Sequence, residues 1–197
     1  MKRIGILFII AGVICIGVFG YQIIGHEQSQ KQSLIQAEER IKQGANEQGE
    51  AGGEDTEKSI EAFDADQDEA FATLEIPKLG KTLPIVEGTD PDSLQKGVGH
   101  LSNSVFPGQG EQILLSGHRD TVFRDFGELE IGDTFVVQMP YGEYTYEIRE
   151  TEIVPEDDTS VIGEMGEEVL VVTTCYPFHF VGSAPDRFVA YAYPVSE

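Results

Sequence analysis

Three textures follow one another along this chain. Residues 4–24 carry no charge and are mostly Ile, Val, Gly, Phe and Leu. Residues 25–72 are rich in Gln, Glu, Gly, Ser and Ala, with few large apolar positions. From residue 73 onward short apolar runs recur, separated by Gly, Pro, Asp and Asn: 74–76, 83–86, 112–116, 134–139, 144–153, 168–173 and 187–193. A 21-residue helix at about 1.5 Å per residue spans roughly 30 Å, the thickness of a bilayer core, so the first texture predicts a membrane-spanning helix. It lacks the small-residue cleavage site that ends a signal peptide, which favours an uncleaved anchor. The second texture predicts a flexible stalk, with a short surface helix over 33–42. The third predicts an all-β barrel or sandwich, because short runs at this spacing leave little room for long helices. Tyr144-Thr145-Tyr146-Glu147-Ile148-Arg149 alternates with a period of two, and Pro140-Tyr141-Gly142-Glu143 reads as the turn of a hairpin. Asp90-Pro91-Asp92-Ser93 reads as a helix start with proline in its first turn, and 125–129 as another short helical turn.

The domain plan is therefore a cytoplasmic N-terminus over 1–3, a membrane anchor over 4–24, an acidic stalk over 25–72 and a folded domain over 73–197. Lys2 and Arg3 precede the apolar segment, so the positive-inside tendency places the N-terminus in the cytoplasm and the rest outside the cell. The 13 basic and 35 acidic residues give a net charge of −22. That balance argues against nucleic acid as a partner, since phosphate binding needs a basic surface. Its plain consequence is solubility through self-repulsion.

Of the two cysteines, Cys15 lies in the apolar segment and Cys175 in the folded domain, so no disulfide can form within that domain. Cys175 ends the run Val169-Leu170-Val171-Val172-Thr173-Thr174. A lone thiol in an extracellular domain is an oxidation hazard unless it is buried or used. As a nucleophile it needs a group to hold its proton. Three histidines of the folded domain could serve: His100 in a Gly-rich loop, His118 at the end of the 112–117 run, and His179 just after Cys175. Distance along the chain does not choose between them, because bases are selected by fold geometry. Attack on an amide builds charge on the carbonyl oxygen, which a guanidinium can stabilise. Arg187 opens the run after the cysteine, and its bland alternative is a surface ion pair.

Taken together, Leu115-Ser116-Gly117-His118-Arg119, Thr174-Cys175-Tyr176-Pro177-Phe178 and Arg187-Phe188 resemble the sortase family, most of all the class D sortases of Gram-positive bacteria. The similarity runs through 73–197 and includes Leu74-Glu75-Ile76-Pro77-Lys78-Leu79, Gly97-Val98-Gly99-His100 and Phe106-Pro107-Gly108. It implies an eight-stranded β-barrel with short helices and a cysteine transpeptidase. Cys175 would be the nucleophile, His118 the acid/base and Arg187 the stabiliser of the substrate carbonyl and oxyanion. The family's Thr-Leu-x-Thr-Cys reads Val171-Val172-Thr173-Thr174-Cys175 here. The lid with Asp, Pro and an aromatic that class C members carry before the barrel is absent. The implied substrates are secreted proteins with a C-terminal Leu-Pro-x-Thr-type sorting signal, and the implied acceptor is an amine of peptidoglycan or its lipid-linked precursor. Thr174, Val161 and Ile162 are candidates to contact the signal. No cofactor is implied, although Glu156-Asp157-Asp158 has the composition of a calcium site and the more usual fate of a solvated cluster. Rival readings are an extracytoplasmic cysteine peptidase, another cysteine transpeptidase acting on wall stem peptides, and a non-enzymatic β-barrel interaction module.

Overall fold

The structure is a computed structural model and describes residues 2–48, 58–179, 182 and 184–195. The described residues form a closed eight-stranded barrel: β1 Ala70–Ile76, β2 Lys81–Glu87, β3 Val98–His100, β4 Gln112–Gly117, β5 Thr134–Met139, β6 Gly142–Pro155, β7 Val169–Tyr176 and β8 Asp186–Pro194. The order around the barrel is β1-β2-β3-β4-β7-β8-β6-β5, and β5 closes it antiparallel onto β1. Two neighbouring pairs are parallel, β2 with β3 and β4 with β7. All seven apolar runs are strands. The eighth strand, β3, coincides with what reads in the sequence as a Gly-rich loop. Three residues are too few for a period to show, and only pairing with β2 and β4 makes them a strand.

Turns follow local chemistry. Pro140 and Tyr141 form the two-residue link between β5 and β6, where Met139 pairs with Gly142. Asp90 caps α2, Pro91–Lys96, accepting from the backbone N–H of Asp92 at 2.9 Å and Ser93 at 3.3 Å. Phe126–Glu128 is a single 3-10 turn.

Strand alternation divides the apolar residues into two sets. Ile113, Leu115, Leu170, Val172, Ala190 and Ala192 fill the barrel interior with Phe71, Phe135 and Tyr146. Leu114, Val169, Val171 and Val189 face outward and are covered by Val154 and by Val161 of the β6–β7 connection. Strand β7 is thus buried on both faces, which is why its sequence is a continuous apolar run and not an alternating one.

The N-terminal half departs from expectation. Helix α1 runs unbroken over Lys2–Gln48, so the segment expected as a flexible stalk is helical as far as Gln48; residues 49–57 lie outside the described residues. Beyond that gap the barrel begins at Ala70, three residues before the expected boundary. The reason is a stripe of small residues along one helix face. Ser33 and Ala37 are buried, Ala37 against Ala70 and Val86. At Gly44 a β-carbon would lie 2.3 Å from the Pro140 carbonyl oxygen, so only glycine lets the helix approach there. Arg40 fixes the docking by pairing with Glu69 and donating to the Asp64 carbonyl at 3.0 Å. Propensity alone marks only a short helix here, whereas packing against the barrel extends it. Residues 4–24 lie in the first half of α1, and most of their side chains lie outside the described residues. Among the described residues no helix is long and apolar enough to cross a membrane.

Two polar groups inside the barrel yield tests. His100, 1% exposed, lies with Nδ1 2.7 Å from the Glu87 carboxylate and Nε2 3.0 Å from the Val105 carbonyl, its ring stacked on Phe106. Replacing it in His100→Ala strands a buried carboxylate, so thermal unfolding should record a loss of about 3–5 kcal/mol. A loss below about 1 kcal/mol would mean that the pair contributes nothing. The second group is Tyr146, which is fully buried and donates to Glu168 at 2.7 Å. Burial pushes its phenol well above the ordinary range, and the Glu168 charge adds to the shift. In the unfolded chain a tyrosine ionises near pH 10. Between pH 10 and the raised native value only the unfolded state loses this proton, so stability falls as pH rises above 10. Stability measured between pH 9 and 11 should fall less steeply in Tyr146→Phe than in the parent; equal slopes would refute the assignment.

Candidate active site

The parallel ladder between β4 and β7 ends with Gly117 paired to Thr174. Cys175 is the next residue of β7 and His118 the first residue beyond β4, so they stand at one level on neighbouring chains, where strands lie about 4.8 Å apart. On the other side of β7 the antiparallel ladder pairs Cys175 directly with Arg187 of β8. The order β4-β7-β8 therefore puts the thiol between the imidazole and the guanidinium.

Alternation puts all three on one face. Val169 and Val171 of β7 point outward, as do Val189 and Tyr191 of β8 and Leu114 of β4. Continuing each parity carries Cys175, Arg187 and His118 to the outer surface. Cys175 is a half-buried free thiol, Arg187 is half-buried and His118 is exposed. Between Ser116 and Arg119 exposure alternates as a strand requires, with Gly117 and Arg119 buried and His118 exposed. Gly117 is needed at this point because a β-carbon would stand 2.4 Å from the Phe123 ring.

The remaining candidates separate. His100 is committed to Glu87 inside the barrel, and His179 is exposed in the β7–β8 connection. Thr174, expected as a substrate contact, has interior parity; it is 2% exposed and its hydroxyl donates to the Gly117 carbonyl at 2.7 Å. It is a tie between the two strands that carry His118 and Cys175. Val161 is buried in the outer cluster and Ile162 is 41% exposed, so the connection buries one and presents the other. Arg187 pairs with Glu156 at 3.4 Å and donates to the carbonyls of Asp186 at 3.0 Å and Ala184 at 3.3 Å. The Asp158 carboxylate turns back onto Ser160, whose hydroxyl foremost, and then its N–H at 2.9 Å, holds the Asp158 carboxyl below its ordinary range. Among the described residues no group of three or more His, Cys, Asp or Glu side chains is placed to hold a metal.

Three residues escape sequence reasoning. Gln112, buried at the start of β4, donates to the Val161 carbonyl at 2.7 Å and accepts from the Gly163 N–H at 3.1 Å. Glu111 accepts from the backbone N–H groups of Met165 and Gly166, which hold its carboxyl below the ordinary range. Together they hang the β6–β7 connection beside the outer face. Arg119, 5% exposed, donates to the Pro177 carbonyl at 2.8 Å. A polar side chain bonding to distant backbone leaves no periodic signal. Its only mark in the sequence is position, beside a run or a motif.

A family model described as the Sortase domain matches residues 74–195. The chain is a sortase. It is 47% identical to Sortase D of Bacillus subtilis (strain 168) over 193 residues, 97% of this chain and 98% of that protein. The catalytic domain of B. anthracis SrtD is 43% identical with a TM-score of 0.58, covering 68% of this chain and 92% of that one. A Clostridium perfringens Sortase D5 transpeptidase shares the fold with a TM-score of 0.70 at 24% identity, over 86% of this chain and 99% of that one. This sortase is thus similar to Sortase D proteins, and the outer-face cluster is its candidate catalytic centre.

The tie under the centre can be tested. Thr174→Val keeps the shape and removes the hydroxyl, so denaturant unfolding should show a loss of about 1–3 kcal/mol. An unchanged midpoint would show that the bond to Gly117 carries no weight.

Proposed function

We propose that this sortase is a membrane-anchored class D transpeptidase that cuts a Leu-Pro-x-Thr-type sorting signal after threonine and joins the protein to a cell-wall amine. The observation that carries the reading is the shared level and shared face of His118, Cys175 and Arg187. Cys175 Sγ attacks the threonine carbonyl carbon and its thiol proton passes to His118. The tetrahedral oxyanion faces the Arg187 guanidinium, which exchanges part of its bonding to Glu156 and nearby carbonyls for the developing charge. His118 protonates the leaving amine, the C–N bond breaks, and a thioester remains. An amine of peptidoglycan or its lipid-linked precursor attacks the thioester, His118 takes its proton, and the thiolate leaves. The thioester keeps the acyl group activated outside the cell, where no nucleotide triphosphate is supplied. Water in place of the amine yields hydrolysis from the same intermediate.

The outer apolar surface around Ile162, beside the cysteine strand, receives the Leu-Pro end of the signal in this reading. Residues 4–24 form the membrane anchor, on the strength of their uncharged sequence, with the N-terminus in the cytoplasm and the barrel outside. The chemistry calls on no cofactor, and Glu156 and Asp158 already have partners in Arg187 and Ser160.

The full chain in detergent, given a sorting peptide and an added amine, tests this by mass spectrometry of the product. Cys175→Ala should lose transfer by at least about a thousandfold, and Arg187→Ala by about 100- to 1000-fold in kcat. Transfer by Cys175→Ala at the parental rate would end the proposal.

A further inference from the structure

Arg119 is a charged side chain held almost wholly out of water, one residue beyond His118. The alternation that exposes His118 turns Arg119 inward, beneath the end of the barrel. There its guanidinium donates to the Pro177 carbonyl at 2.8 Å and to the Gly182 carbonyl at 3.3 Å, while Asp120 pairs with it at 3.2 Å. Burying a guanidinium is costly unless its donors are used. Here they are used on the connection that leaves Cys175.

The position of this bond matters more than its strength. The β4–β7 ladder ends with Gly117 and Thr174, below the two reacting side chains. The β7–β8 ladder continues past Cys175 to Tyr176 and Asp186. The spacing of sulfur and guanidinium is thus fixed by the sheet on both sides, but the spacing of sulfur and imidazole is fixed by the sheet from below alone. Above, the described bonds from residues 119 and 120 to the chain after Cys175 are those of Arg119. Thr174 to Gly117 and Arg119 to Pro177 bracket the pair.

We propose that Arg119 is a positioning residue that sets the separation of His118 from Cys175 by clamping the Pro177 and Gly182 carbonyls to the end of β4. The inference rests on the reading in which that thiol and that imidazole react together. A lysine could keep the charge but not the planar two-pronged fork, so it should hold one carbonyl at most. A shift of about 1 Å between reacting groups is enough to cost on the order of 100-fold in rate.

The test uses the full chain in detergent and two measurements. One is kcat and KM for a sorting peptide with added amine. The other is the pH profile of Cys175 alkylation by iodoacetamide, which reports how the imidazole acts on the thiol. Arg119→Met should lower kcat on the order of 100-fold with KM within about twofold, and Arg119→Lys should fall between it and the parent. The alkylation profile of Arg119→Met should move onto that of His118→Ala. Where Arg119→Met does not fold, Arg119→Lys carries the test, with a profile displaced in the same direction. Parental alkylation profiles in both variants, or a raised KM at unchanged kcat, would overturn the proposal and reduce Arg119 to a support of the fold. His118→Ala alkylating as the parent does would instead remove the underlying reading of the site.

Discussion

The parallel pairing of β4 with β7 is the constraint on which this sortase depends. Strand β4 is paired with β3 as well as β7, and β7, paired with β8 as well, is packed against the interior on one side and the β6–β7 connection on the other. Because side chains alternate, a slip of one residue would send Leu170 and Val172 outward and draw Cys175 into the core. Two apolar clusters oppose that slip at once. Removing interior side chains of this size from their environment costs several kcal/mol each, so the register that places the thiol is held far more firmly than a surface loop could hold it.

Strand β4 performs opposite tasks at its two ends. Its first residue, Gln112, and the preceding Glu111 grip the connection that covers the outer face of β7. Its last residue, Gly117, is bonded by Thr174, and the chain beyond it delivers His118 outward and Arg119 inward. The wall beside the outer face and the outer face that carries the candidate cluster are thus fixed to one short strand. Polar side chains make most of these ties because they reach backbone groups on irregular segments, which have no ladder of their own to satisfy them.

The helix at the N-terminus is joined to the barrel by shape. Small residues let α1 lie against β1, β2 and the β5–β6 turn, and Arg40 adds the charge pairing. The docked part of the helix lies on β1 and β2, while the candidate catalytic cluster belongs to β4, β7 and β8. A helix that continues from residue 2 into this contact makes the approach to the barrel stiffer than a polar, glycine-rich stalk would be.

What the sequence determined by itself was the set of strands long enough to show a pattern, the turns with Asp, Pro and Gly at their proper places, and the three candidate residues that the fold brings to one level and one face. Apolar runs, caps and a lone cysteine are local signals, and the motifs around Cys175, His118 and Arg187 are distinctive in combination. Tertiary structure alone decided that 98–100 is a strand, that 25–48 docks as helix, that Thr174 is buried and tied to Gly117, and that Glu156 and Arg119 stand on either flank of the cluster. Each of these depends on a partner far away in the chain. Hydrophobic period and propensity record what a residue prefers among its neighbours in sequence. They carry no record of which distant carbonyl or carboxylate the closed barrel will bring within hydrogen-bonding reach.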